Sequence, residues 1–219
     1  MLVLLALPLC GALPLALFGA RRLAAEMNVA FSLATLVAGG FLTARVIEQG
    51  PQLYWNEAFF VDPFNVFLVA LTAFVNFTTA LFSRRYMRIE ERHGRLSASR
   101  LRLYHSMYQL FMFTMLLALL TNNMGILWVA MEAATLSTVL LVSLYRTSAS
   151  LEAAWKYFIL CGVGIAQALF GTILLYFAAE RVLGHAGMSA LLWTHLDAVK
   201  GELEPTVLPT RLPNLLVNG

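Results

Sequence analysis

Charge is what this chain has least of. Of its 219 residues 12% are charged and 60% are apolar, with a mean hydropathy of +0.75. A soluble globular domain carries about a quarter charged residues, so a soluble class is excluded. Cysteine is nearly absent too. Cys10 and Cys161 both lie in apolar runs, with no partner at a suggestive spacing, which excludes a disulfide framework and a cysteine-based metal motif. There is no glycine-rich phosphate loop, no Cys-His cluster and no nucleophile elbow. No cofactor or metal is therefore expected, and neither redox chemistry nor hydrolysis within the chain. The first ten residues, MLVLLALPLC, contain no base, so they lack the positive region of a cleaved signal peptide. A net charge of +3 gives no case for nucleic acid.

What the chain has instead is long charge-free runs, at 1–20, 27–44, 63–83, 103–131, 133–145 and 157–179. A helix needs roughly 20 residues to cross the hydrocarbon. The runs predict six spans, at about 3–20, 27–46, 64–83, 104–121, 123–145 and 153–178. The expected fold is all-α, a polytopic membrane bundle of about six transmembrane helices. Arg84, Arg85, Arg88, Arg92, Arg95, Arg100 and Arg102 follow the third span, opposed only by Glu90 and Glu91. Short basic loops stay cytoplasmic, which also places Arg21, Arg22 and Arg146 inside and the N-terminus outside. The 47–62 connection, with Glu48, Glu57, Asp62 and no base, then lies outside. The same arginine run is also a candidate for anionic lipid headgroups. The expected organisation is a six-span domain over 1–180, an external loop or interfacial amphipathic helix over 181–203, and an irregular tail over 204–219. The helix would carry Met188, Leu191, Leu192, Leu196 and Val199 on one side.

One acidic residue stands inside the apolar runs. Glu132 interrupts a stretch otherwise free of charge from Leu103 to Tyr145. A charge at a membrane-helix centre costs roughly 2.5–3.5 kcal/mol on the insertion scale, and such groups commonly serve ion or proton pathways. It could equally be a protonated hydrogen-bond donor between helices. Trp128, Thr135 and Ser143 fall near its face at helical spacing. Lys156 lies one turn after Glu152, a spacing that suits a surface ion pair, with Gln167, Gly164 and Gly171 further along that face. Counted from Arg146, Glu132 is roughly 20 Å deep; counted from Glu152, Lys156 is roughly 6 Å in. Water or another lysine would have to connect them. His105 lies near the inner boundary, as a proton relay or as a satisfied boundary histidine. In the third span, Asn65, Thr72, Asn76 and Thr79 are expected on one face, bonding to other helices or lining a water path.

The run LYHSMYQLFMFTMLLALLTNNMGILWVAMEAATLSTVLLVSLYRTSASLEAAWKYFILCGVGIAQALFGTILLYFAAE resembles component F of hydrogenase-4 type complexes. More broadly it is similar to the Mrp-antiporter-like proton-translocating subunits of complex I and formate hydrogenlyase, and FFVDPFNVFLVALTAFVNFTTALFSRRYM fits the same subunit. The resemblance covers about residues 1–207. It implies an all-helical subunit of a respiratory or hydrogenase complex in a bacterial-type inner membrane. Such a subunit contributes to proton translocation coupled to electron transfer elsewhere, with other membrane subunits as partners. It implies that Glu132 holds and releases the proton and that Lys156 modulates it, with His105 a weaker candidate. Family members continue after a stretch like GELEPTVL into a span with a buried lysine. Here PTRLPNLLVNG follows, with three prolines in the last fifteen residues, and the expectation is a truncated product. A non-transporting membrane scaffold is the rival expectation. A transporter of organic solutes lacks the broken helices it would need.

Overall fold

The computed structural model describes residues 1–19, 23–184 and 187–201. Arg21, Arg22 and the tail 204–219 lie outside the described residues. Helices α1 (Leu2–Phe18), α2 (Ala24–Gln49), α3 (Pro63–Arg92), α4 (Ala98–Leu120), α5 (Met124–Val142) and α6 (Ser148–Leu183) form the bundle, and α7 (Trp193–Val199) is a short seventh. The expected membrane bundle forms. Helices α2 to α6 are long and apolar enough to cross a bilayer. At 17 residues, α1 reaches about 25 Å, just under the roughly 30 Å of hydrocarbon. The chain is a multi-pass membrane protein.

The helix ends follow from local chemistry. Asp62 accepts from Asn65 N–H at 2.8 Å while Asn65 Oδ1 accepts from Asp62 N–H at 2.9 Å, a capping box with Pro63 just inside the helix. Asn65 therefore belongs to the start of α3 rather than to a polar stripe along it. Asn123 caps α5 by accepting from Gly125 and Ile126, and Thr147 caps α6 by accepting from Ser150.

Each helix buries one stripe. On α2 it is Asn28, Ser32, Thr35, Gly39, Leu42 and Val46, and on α4 it is His105, Gln109, Met112, Leu116 and Leu120. Both follow the period of about 3.6. The main core joins Leu4 and Leu5 of α1, Val66 and Val69 of α3, and Met112, Leu116 and Leu120 of α4. Gly11 lets α1 approach α2 closely, since a Cβ there would come within 2.9 Å of the Phe31 ring. The outward faces are aromatic and aliphatic, as with Phe64, Phe67, Phe74 and Phe82 on α3, which is correct for a surface whose solvent is lipid. Helix α6 lies at the edge of the bundle; Ala154 and Ala179 are its buried residues.

Three parts differ from the sequence expectation or fill it in. The 47–62 connection is not plain loop: β1 (Gln52–Tyr54) pairs antiparallel with β2 (Phe59–Val61) in a hairpin. Its turn, Trp55, Asn56 and Glu57, has three successive positive φ angles of 51°, 54° and 67°. The 181–203 stretch, expected as an external loop or an amphipathic helix, holds two short helical pieces among its described residues. A 3-10 turn (Gly187–Leu191) and α7 meet at an extended Leu192 that bridges Asn123, and Leu196 is buried with Ala179 and Ala190. Helix α6 begins at Ser148, a turn before Glu152.

A buried asparagine closes that end of the bundle. Asn122, 1% exposed, forms part of the α4–α5 reversal. Its N–H donates to Ala58 O at 2.9 Å, its carbonyl accepts from Trp193 N–H at 2.7 Å, and its side chain bonds Glu57 O, Thr194 Oγ1 and Thr194 N–H. Hairpin, reversal and α7 meet on this one residue.

Candidate functional site

Glu132 stands near the middle of α5, about 12 Å from its start and 15 Å from its end. It is half-buried and makes no hydrogen bond or ion pair among the described residues. The α5 residues buried in the bundle include Ala130, Ala134 and Ser137. Glu132 lies about 200° round the helix from Ala130 but only about 60° from Thr135, which is also buried. The groups expected beside it are engaged elsewhere. Trp128 Nε1 donates to Ile165 O of α6 at 2.8 Å, Thr135 donates to Met131 O, and Ser143 to Leu140 O.

Lys156 makes the expected ion pair with Glu152, Nζ to Oε1 at 2.6 Å, both side chains well exposed. Two hydrogen bonds set the register of α5 against α6: Trp128 to Ile165, and Thr138 to Tyr157 at 3.0 Å. By that register Glu132 is level with residues 161–163 and Lys156 sits about six residues, about 9 Å, toward the other end. The offset is smaller than the sequence count suggested, because α6 starts earlier than Glu152, but it still exceeds a direct salt bridge. Gly164 and Gly171 do not make a tight contact. A Cβ at either meets nothing within 4 Å, and both line a groove of about 400 Å³ between α5 and α6. Gln167 is exposed.

His105 is buried in α4, edge-on to the Tyr104 ring at 5.1 Å, with Nδ1 unpartnered among the described residues. It does not meet Glu132. Counting back from the Asn122 reversal, Glu132 is level with about residue 113, and His105 lies some eight residues, about 12 Å, toward the arginine end.

One turn from His105 is the feature that the sequence reading passed over. Gln109, fully buried, donates through Nε2 to Asn28 Oδ1 at 2.8 Å, Asn28 O at 3.2 Å and Ser32 Oγ at 3.2 Å. Asn28, Ser32 and Thr35 are also buried. Across α3, Tyr108 OH donates to Asn76 O at 2.5 Å. Three side-chain atoms here have no partner among the described residues: Gln109 Oε1, Asn76 Nδ2 and His105 Nδ1. Of the stripe expected on α3, Asn76 faces this interior, Thr72 is half-buried and Thr79 is exposed. The missed signal was the i, i+4, i+7 spacing of Asn28, Ser32 and Thr35.

The chain is 47% identical over 201 residues to the hydrogenase-4 component F homolog of Methylacidiphilum infernorum, a match covering 92% of this chain. This chain is a relative of hydrogenase-4 component F. It spans 41% of the length of that curated relative. It is also 30% identical over 156 residues to NADH-quinone oxidoreductase subunit N of Herminiimonas arsenicoxydans, covering 68% of this chain and 30% of that protein. No family model matches. Its fold is shared with a chain of the membrane-bound sulfane sulfur reductase, an archaeal respiratory membrane complex, at a TM-score of 0.74 and 21% identity over 93% of this chain and 40% of that one.

In this component F relative the polar interior has a charged end. Glu26, at the start of α2, accepts from Arg84 at 2.7 Å and Arg88 at 2.5 Å near the end of α3. The cluster lies half a turn of α2 from Asn28. Among the described residues no hydrogen bond joins this cluster to His105 or Gln109. Glu132 stands apart from it on the flank of α5.

Proposed function

We propose that this chain is part of a proton-translocating membrane subunit of a respiratory or hydrogenase-type complex in a bacterial inner membrane. The observation that carries the reading is Glu132: a mid-membrane carboxylate, unpartnered among the described residues, in a relative of hydrogenase-4 component F. An acidic side chain inside a membrane span commonly marks an ion or proton pathway. A proton held there can follow the movement of charge elsewhere in a complex whose other membrane subunits carry the electron transfer. Lys156, about 9 Å away along the axis, acts on it through intervening water or a further cation. His105 and Gln109 offer an entry from the arginine side, their unpartnered atoms being of the kind that buried water satisfies. The arginine run faces the cytoplasm and the N-terminus lies outside, because short basic loops are retained inside.

The test is Glu132→Gln in the assembled complex, with electron transfer and proton uptake read together. Loss of most proton translocation with electron transfer retained is the expected result; unchanged pumping at normal turnover would falsify the assignment. A scaffold is the second reading, favoured by the engagement of Lys156 with Glu152 and the separation of Glu132 from the polar interior. It predicts that deleting the chain disperses the complex while Glu132→Gln changes nothing.

A further inference from the structure

At the arginine end, the start of α4, the flank of α1 and the α5–α6 turn enclose a cleft of about 530 Å³. Arg100, Arg102 and Arg146 line it, and among the described residues no acidic side chain does. Arg102 and Arg146 are exposed and make no ion pair or side-chain hydrogen bond among the described residues, while Arg100 is tethered to Arg95 O and Tyr145 O. Two hydroxyls join them. Ser97 is the N-cap of α4 yet makes no capping bond, and Ser99 in the first turn has no described partner. The first amides of α4 are thereby left open toward the cleft, where a helix start favours negative charge. The remaining wall is Ala16 of α1 with Leu103 and Ser106 of α4, the Ser106 hydroxyl being taken up by Leu103 O.

Arg146 has φ of +53°, a region that disfavours any side chain with a Cβ and that glycine adopts freely. Glycine at this position would relieve that strain. Convergent guanidiniums match phosphate oxygens in geometry as well as charge, and basic pockets between helices at the cytoplasmic boundary are where lipid phosphates seat.

We infer that this cleft holds the phosphate of an acidic phospholipid, with Arg102 and Arg146 gripping its oxygens and the Ala16–Leu103 wall meeting its acyl chains. The Glu26–Arg84–Arg88 cluster lies outside the cleft and is already neutralised in part, so the pocket differs from the general basic run. The proposal does not depend on proton translocation.

The test uses the full chain in nanodiscs of phosphatidylcholine with and without phosphatidylglycerol, with retained lipid counted by native mass spectrometry after transfer to detergent. Arg102→Ala with Arg146→Gly is compared with Arg85→Ala with Arg92→Ala, which removes the same charge from the same run outside the cleft. Arg146→Gly also fits the backbone at that position, which guards against misfolding as the cause of any loss. Retention of phosphatidylglycerol by the unaltered chain and the control pair, weakened on the order of tenfold or more in the cleft pair, supports the site. Equal loss in both pairs, or no loss in either, overturns it in favour of diffuse attraction. Inorganic phosphate raising the melting temperature through these arginines while no lipid is retained overturns the lipid source.

Discussion

At the scale of single residues, Gln109 and Glu132 are opposites. Gln109 is buried and ties α4 to α2 through Asn28 and Ser32, whereas Glu132 is acidic, half-exposed and tied to nothing described. Polar contacts between membrane helices contribute on the order of 0.6–2 kcal/mol each. Gln109→Leu is expected to destabilise the bundle by an amount of that order, read as a lower melting temperature in detergent. Adding Asn28→Leu should cost less than the sum of the two single changes, since removing both partners leaves fewer polar atoms stranded. Strict additivity would mean that the contact carries no energy. Glu132→Gln should leave stability almost unchanged and act on proton translocation alone. Glu132 was legible in the sequence because one charge in a run of apolar residues is conspicuous. The Asn28–Gln109 contact was not, because neutral polar residues are common in membrane helices and which stripe meets which depends on helix rotation.

Among the elements, the helices were legible as charge-free runs and their exact ends were not. The third span read as 64–83, yet α3 continues through Arg84, Arg85 and Arg88 to Arg92. Hydropathy marks where the bilayer ends, whereas a helix stops only where its backbone hydrogen bonding does. The start of α3 rests on its capping box, and Asp62→Ala should cost about 1 kcal/mol, read as a lower unfolding midpoint with Asp62→Asn nearly neutral. The α5–α6 register rests in part on the Trp128 indole. Trp128→Phe keeps one aromatic ring, smaller than the indole, and removes the donor to Ile165 O, with an expected cost of at least about 1 kcal/mol. A cross-link between engineered cysteines at Thr138 and Tyr157 should then form less readily. Unchanged cross-linking would show that side-chain packing alone holds the register.

Across the whole molecule, the arginine run from Arg84 to Arg102 marks one end of the bundle and the Asn122 junction the other, with Arg45 and Arg181 lying toward the junction. A single cysteine introduced as Arg92→Cys, with Cys10 and Cys161 replaced by serine, should react with an impermeant maleimide in inverted vesicles and not in intact cells. Reaction from outside would reverse the topology. The fold class and the resemblance to component F were readable from the chain because hydropathy and a dense motif such as MEAATLSTVLLVSLYR survive without coordinates. The hairpin pairs residues only 5 to 9 apart but read as a plain connection between spans. The junction was not readable, since its bonds join residues 65 and 72 positions apart.

Those separations carry a consequence for biosynthesis. A chain leaving the ribosome delivers the hairpin first, the α4–α5 reversal next and α7 last. Asn122 can therefore bond Ala58 and Glu57 well before Trp193 and Thr194 exist, and its remaining groups wait for them. Contacts so distant in sequence form late, and Asn122 is a latch whose final half closes only when α6 has been threaded back across the membrane. A nascent chain halted before Trp193 should leave that end open to protease, and one carried past Val199 should close it.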